Sequence, residues 1–155
     1  FTDAVIRQGI EEMRWQGRME TVLPGVIIDG AHNEAGVEEF VRTARRLEAD
    51  DPVTLLFAAV GDKDYRHMIE TICRELRLER VIVTEVGGYR SVDAKVPEAL
   101  FREFGQKEVK AVPDVEEAFD EALKEKGDGI LFCVGSLYLV GSIKDILETR
   151  RSAHD

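Results

Sequence analysis

Asp29, Gly30, Ala31, His32 and Asn33 set a carboxylate, an imidazole and an amide within one short segment, directly after the apolar run Gly25-Val26-Ile27-Ile28. A strand buried on both faces reads as such a continuous apolar run, and the polar residues that close it fall in the turn opening the next helix. The N–H groups of a helix start favour an anion such as phosphate. The same residues equally suit a plain helix start, with Asp29 or Asn33 as its cap and His32 as an ordinary loop residue.

Four further segments join glycine or polar residues to the end of an apolar run: Gly61-Asp62-Lys63-Asp64, Tyr89-Arg90-Ser91, Pro113-Asp114 and Gly135-Ser136. In an open α/β sheet, ligands bind beyond the carboxyl ends of the strands, so these segments are the candidate rim of one crevice. Asp62 and Asp64 have the types of a Mg²⁺ pair, but a strand-to-helix turn with an Asp cap is the better account of them. Ser136 has no neighbouring base in sequence, so nothing marks it as a nucleophile.

Several chemistries are missing from the sequence. It contains no G-x-x-x-x-G-K-[ST] and no G-x-G-x-x-G, so it carries neither its own P-loop nor a dinucleotide fingerprint. His32, His67 and His154 are scattered, Cys73 and Cys133 stand far apart, and no C-x-x-C or H-x-x-x-H occurs. No metal site is expected from spacings like these.

The elements that must position these residues are legible from periodicity. Strand-like runs at Gly25–Asp29, Val53–Val60, Arg80–Val86, Glu108–Val112 and Gly129–Val134 alternate with helical stripes. The stripes are Val37, Phe40, Val41, Ala44 and Leu47; Met68, Ile69, Ile72, Cys73 and Leu76; Leu100, Phe101 and Phe104 after Pro97; Val115, Ala118, Phe119, Ala122 and Leu123; and Leu139, Val140, Ile143, Ile146 and Leu147. Asp114 followed by Glu117 has the form of a capping box. Strands alternating with helices imply right-handed crossovers, and the fold expected is α/β, an open, mostly parallel Rossmann-like sheet of about five or six strands flanked by helices. Ahead of it, Phe1–Met13 reads as helical, Trp15–Arg18 as a turn and Met19–Leu23 as an extra strand.

The chain has 155 residues, about one domain's worth, and 44% of them are apolar. Its 31 acidic and 21 basic side chains leave a net charge of −10. That charge repels phosphate backbones and anionic lipid, so neither nucleic acid nor membrane is expected as a partner. The longest apolar run, Leu55–Val60, is far short of the ~20 residues a spanning helix needs. The two cysteines lie inside apolar stripes, as buried thiols in a reducing cytosol do. The sequence opens on Phe1 rather than Met, and a fragment or processed piece is expected.

Three segments together resemble folylpolyglutamate synthase, a family that includes the bifunctional dihydrofolate synthase and belongs to the Mur ligase superfamily. They are Trp15-Gln16-Gly17-Arg18-Met19-Glu20, then Asp29–Asn33, then Gly135-Ser136-Leu137-Tyr138-Leu139-Val140-Gly141, and Gly61–Asp64 fits the family's second strand end. The resemblance spans essentially the whole chain and is to the C-terminal domain. It departs at Gln16 and Glu34, where the family commonly has proline.

The resemblance implies that residues 1–24 end an interdomain connection and supply the first turn and strand, and that residues 25–155 are the α/β ligase domain. It implies an ATP-dependent ligase that phosphorylates a folate carboxylate and lets the amine of L-glutamate displace phosphate. ATP and Mg²⁺ would be the cofactors, with the P-loop and Mg²⁺ ligands in an N-terminal ATPase domain that is the chain's partner, the whole being monomeric. By resemblance Arg18 is catalytic, an arginine meeting charge on the transferring phosphoryl group. Asp29, His32 and Asn33 line the nucleotide side, and Arg90 and Ser136 bind the incoming amino acid. Without the ATPase domain the piece is expected to be inactive. The other reading of the residues is a free-standing α/β nucleotide-binding or regulatory module without catalysis.

Overall fold

The computed structural model describes residues 18–48, 51–61, 63–88 and 90–154. The helical reading of Phe1–Met13, the Trp15–Gly17 part of the turn, Asp62 and Tyr89 lie outside the described residues.

Short apolar runs that bury both faces build the sheet. Its strands are β1 (Glu20–Leu23), β2 (Val26–Asp29), β3 (Val53–Phe57), β4 (Arg80–Val83), β5 (Val109–Ala111) and β6 (Ile130–Val134). They lie side by side in the order β1-β2-β6-β3-β4-β5. β1 runs antiparallel to β2, with Glu20 opposite Ile28, and the pairs β2–β6, β6–β3, β3–β4 and β4–β5 are all parallel. The open parallel sheet expected from the alternation is present, and the strand read at Met19–Leu23 supplies its antiparallel edge as Glu20–Leu23, with Met19 outside the ladder.

Five helices flank the sheet: α1 (Glu34–Leu47), α2 (Tyr65–Glu75), α3 (Lys95–Glu103), α4 (Val115–Lys126) and α5 (Leu137–His154). Strand alternation sorts the core into two layers. Phe57, Val83, Phe132 and Val134 face α1, α2 and α3 through Phe40, Ile69 and Phe101. Ile28, Leu56, Ile82, Leu131 and Cys133 face α4 and α5 through Phe119, Leu139 and Ile143. Phe40 meets Phe132, and Phe57 meets Phe101, edge to face with ring centroids 5.4 Å apart. Each such fully buried ring contributes about 1.5–3 kcal/mol of burial.

Local chemistry sets the ends. Asp114 accepts from the Glu117 amide at the start of α4, and Pro97 sits in the first turn of α3, where its missing N–H costs nothing. The runs at Val53–Val60 and Arg80–Val86 end as strands at Phe57 and Val83, earlier than their apolar content implies. Past those points the backbone bonds across loops: Gly61 N–H reaches the Arg90 carbonyl at 2.9 Å, and Val60 pairs with Ser91 only as an isolated antiparallel bridge. Leu47, placed in the α1 stripe, is the last residue of its helix and 42% exposed. Burial pushes the Cys73 thiol up to about 11 and raises that of Cys133 too, so both stay protonated at neutral pH.

Gly135 follows β6 with φ +120°, and a Cβ there would lie 2.5 Å from the Ala58 carbonyl oxygen and 2.8 Å from the Phe57 ring. Gly135→Ala is therefore expected to cost about 3 kcal/mol of stability through strain and overpacking. Urea unfolding of the chain measures it, and a loss below about 0.5 kcal/mol would contradict the close approach.

Candidate functional site at the carboxyl edge of the sheet

The helices after β2, β3 and β4 pack on one face of the sheet, and those after β5 and β6 on the other. Because β6 lies between β2 and β3, the chain leaves neighbouring strands in opposite directions on both sides of β6. The diverging loops open a crevice above the carboxyl ends of β2, β6 and β3, the place such sheets hold ligands. A second divergence, between β4 and β5, is closed by Thr84 Oγ donating to the Pro113 carbonyl and Glu85 N–H to the same oxygen.

Asp29 stands at the rim of the crevice with its carboxylate turned inward, 6% exposed. Oδ1 accepts from the Ala31 amide at 2.8 Å and Oδ2 from the Met19 amide at 3.2 Å. Burial raises the carboxyl above its ordinary range, while the Ala31 and Met19 amides and the Arg18 charge pull it back. Asp29 thereby ties the loop after β2 to the residues that enter β1.

Arg18 is exposed beside that tie, its guanidinium 2.6 Å from Glu39 on α1. His32 is half-buried, with Nδ1 2.9 Å from the Gly30 carbonyl oxygen. With its proton on Nδ1 the ring donates that bond, and Nε2 is left as the acceptor. Asn33 is the N-cap of α1, its Oδ1 accepting from the Gly36 amide at 2.8 Å. One residue on, Glu34 reaches His67 at 3.2 Å and links the first turns of α1 and α2.

Ser136 is buried at 1% exposure and starts α5, its Oγ accepting from the Tyr138 amide at 3.0 Å and its carbonyl from the Val140 amide. Asp64 accepts from the His67 amide at the start of α2. Arg90 is exposed on the loop after β4, and its carbonyl ties that loop to Gly61 above β3. Glu85 closes the same loop by accepting from the Ala94 amide at 2.8 Å.

The six candidates thus share one edge. Arg18, Asp29, His32 and Asn33 gather above β1 and β2, Ser136 follows at β6, and Arg90 lies farther along at β4. With strands about 4.8 Å apart, the Arg90 loop is roughly 14 Å from the Asp29 loop, a separation on the scale of a nucleotide rather than of a single contact. Among the described residues no three His, Cys, Asp or Glu side chains group to hold a metal.

Sequence reasoning missed Met19, Glu39 and Glu85. The only signal for Met19 was its place beside Arg18; its φ of +45° has no signature in a methionine. Glu39 and Glu85 are single acids among many.

The family model of the Mur ligase, glutamate ligase domain, matches residues 17–137. The dihydrofolate synthase/folylpolyglutamate synthase of Bacillus subtilis is 31% identical over 153 residues, covering 96% of this chain and 34% of its own length. The structure of E. coli FolC with DHPP and ADP superposes with a TM-score of 0.79 at 22% identity, covering 97% of this chain and 35% of that one. Folylpolyglutamate synthase from Thermotoga maritima superposes at 0.68 with 30% identity, covering 96% and 34%. The chain therefore spans about a third of the length of the relatives it matches.

The Asp29 carboxyl is expected to titrate above its ordinary value of 3.8, because desolvation outweighs its two amide bonds. A group whose folded pKa is raised contributes stability that is present below the unfolded pKa and lost as the pH climbs through the folded one. Carbon-13 NMR titration of Asp29 reads the midpoint directly, and a value at or below 3.8 would show the amide bonds prevailing.

Proposed function

The chain belongs to the Mur ligase family as its glutamate ligase domain, and on that premise we propose that it is the carboxyl-terminal part of an ATP-dependent ligase adding glutamate to folate. The free-standing module gives way to this reading, because the family match takes in every candidate on the rim, from Arg18 to Ser136 in sequence. One observation carries the proposal. A buried carboxylate binds Arg18's neighbour and the loop Gly30–Asn33 into one unit beside the crevice at β6.

The chemistry proposed is transfer of the γ-phosphoryl group of ATP to a substrate carboxylate, giving an acyl phosphate and ADP. The glutamate amine then attacks the acyl carbon, inorganic phosphate leaves, and a proton is lost from the new amide nitrogen. The P-loop, Mg²⁺ and the folate site belong, in this proposal, to the remaining two-thirds of the ligase, and no step is routed through a metal held by this chain.

Arg18 brings a guanidinium to the oxygens of the transferring phosphoryl group, where charge is spread over the transition state. The loop with His32 and Asn33 faces the nucleotide. Arg90 grips a carboxylate of the incoming glutamate, as a guanidinium does in bidentate fashion. Ser136 serves the same subsite by fixing the start of α5, whose N-terminal end favours an anion.

In the full-length ligase, Arg18→Ala should lower kcat by about 10²-fold or more and leave KM for folate within a few fold, since the contact is made mainly in the transition state. Steady-state assays of folate glutamylation measure both, and a normal kcat would return Arg18 to the protein surface. Arg90→Ala should raise KM for glutamate well above any change in KM for ATP; equal effects on the two substrates, or none, would remove Arg90 from the glutamate subsite.

A further inference from the structure

Asp29 is placed where a strand pairing should continue and does not. The β1–β2 ladder pairs Thr21 with Ile27 and Glu20 with Ile28, so Met19 is next to face Asp29. There the Met19 amide bonds to the Asp29 side chain. The chain turns at that point: Met19 has φ +45°, the only positive φ at a non-glycine among the described residues. A side chain with a Cβ adopts that conformation only when its surroundings impose it. Met19 packs against the core layer under α1, while Arg18 stands exposed beside it. The turn thus sends one side chain inward and leaves the other at the rim.

We propose that Asp29 is a positioning residue for Arg18: its carboxylate fixes the left-handed turn at Met19 and so aims the guanidinium at the phosphoryl group. This rests on the role given to Arg18 above. It differs from a direct contact with the nucleotide in the work assigned to the carboxylate, each of whose oxygens accepts from a main-chain amide in a residue only 6% exposed. The residue type follows from the geometry. Two N–H donors converge on one side chain, and a carboxylate offers an acceptor oxygen to each, whereas an amide of the same shape offers one acceptor and a donor. Glu39, which holds the guanidinium itself, is an exposed partner in an exposed pair and adds little to the placement.

The test is a double-mutant cycle in the full-length ligase with Arg18→Ala, Asp29→Asn and the pair. Asp29→Asn should lower kcat by about 10- to 100-fold with KM for ATP within about threefold, and the pair should be no slower than Arg18→Ala alone within about threefold. Losses that multiply in the pair, together with a rise in KM for ATP matching the fall in kcat, would overturn the proposal and make Asp29 a nucleotide ligand. An unaffected kcat in Asp29→Asn would also overturn it, provided Arg18→Ala is slow; a normal kcat in Arg18→Ala overturns the role of Arg18 instead. Should Asp29→Asn fail to fold, Met19→Pro reads the same link with Asp29 intact. Proline has no N–H for Asp29 and holds φ at about −65°, so kcat should fall while KM for ATP holds, and a wild-type kcat there would sink the proposal.

Discussion

The insertion of the last strand into the middle of the sheet is the constraint on which the rest depends. β6 pairs on one side with β2, Ile28 opposite Cys133, and on the other with β3, Leu56 opposite the same residue. β6 is thus hydrogen-bonded to a parallel neighbour on each side, and Leu131, Phe132, Cys133 and Val134 are fully buried. Parallel pairing then fixes direction: the loops after β2, β6 and β3 must all emerge on one edge. Since the helices after β2 and β6 go to opposite faces, a crevice follows from topology before any side chain is considered. Gly135 marks how tightly the loop after β6 is seated, with room for no Cβ between it and Ala58.

Within that frame the charges are arranged locally rather than globally. The chain as a whole carries −10, yet Arg18 and Arg90 are exposed along the rim of a crevice meant, in the proposed function, for anionic substrates. In the proposed function, one half of the catalytic charge comes from each of two domains. An arginine supplied from one domain to a phosphoryl group bound by another is ineffective until the two close, which confines the reaction to the assembled, water-poor state. The proposed role asks for an arginine already aimed, and the Asp29 carboxylate bonded to the Met19 amide is a firmer hold than the exposed pair with Glu39.

Much of this was legible in the sequence, and the reasons for the gaps are physical. Continuous apolar runs closed by polar residues located β2, β3, β4 and β6 and the rim above them, because a strand buried on both faces leaves nowhere else for polar groups. Helical stripes gave α1 to α5, with Leu47 the exception at a helix end. The position of β6 between β2 and β3 was not legible, because neighbour choice in a sheet is a long-range matter that local periodicity does not carry. The candidate site residues were chosen by type and by family resemblance, but the partners of their side chains were not legible. Asp29 bonds to the amide of Met19, and amides look alike in every sequence. Ser136 and Asn33 were open between capping and ligand contact; both cap helices here, at α5 and α1.

The central claim is that this edge of the sheet completes a phosphoryl-transfer site from a second domain. It is tested most directly by a crystal structure of the full-length ligase with ADP, Mg²⁺ and a planar phosphoryl mimic. The distance from the Arg18 guanidinium to the mimic's oxygens is the quantity to read. The account requires hydrogen-bond contact, about 3 Å, with Asp29 still holding the Met19 amide. A closed complex in which Arg18 remains on Glu39, with another cation on the mimic, would contradict it.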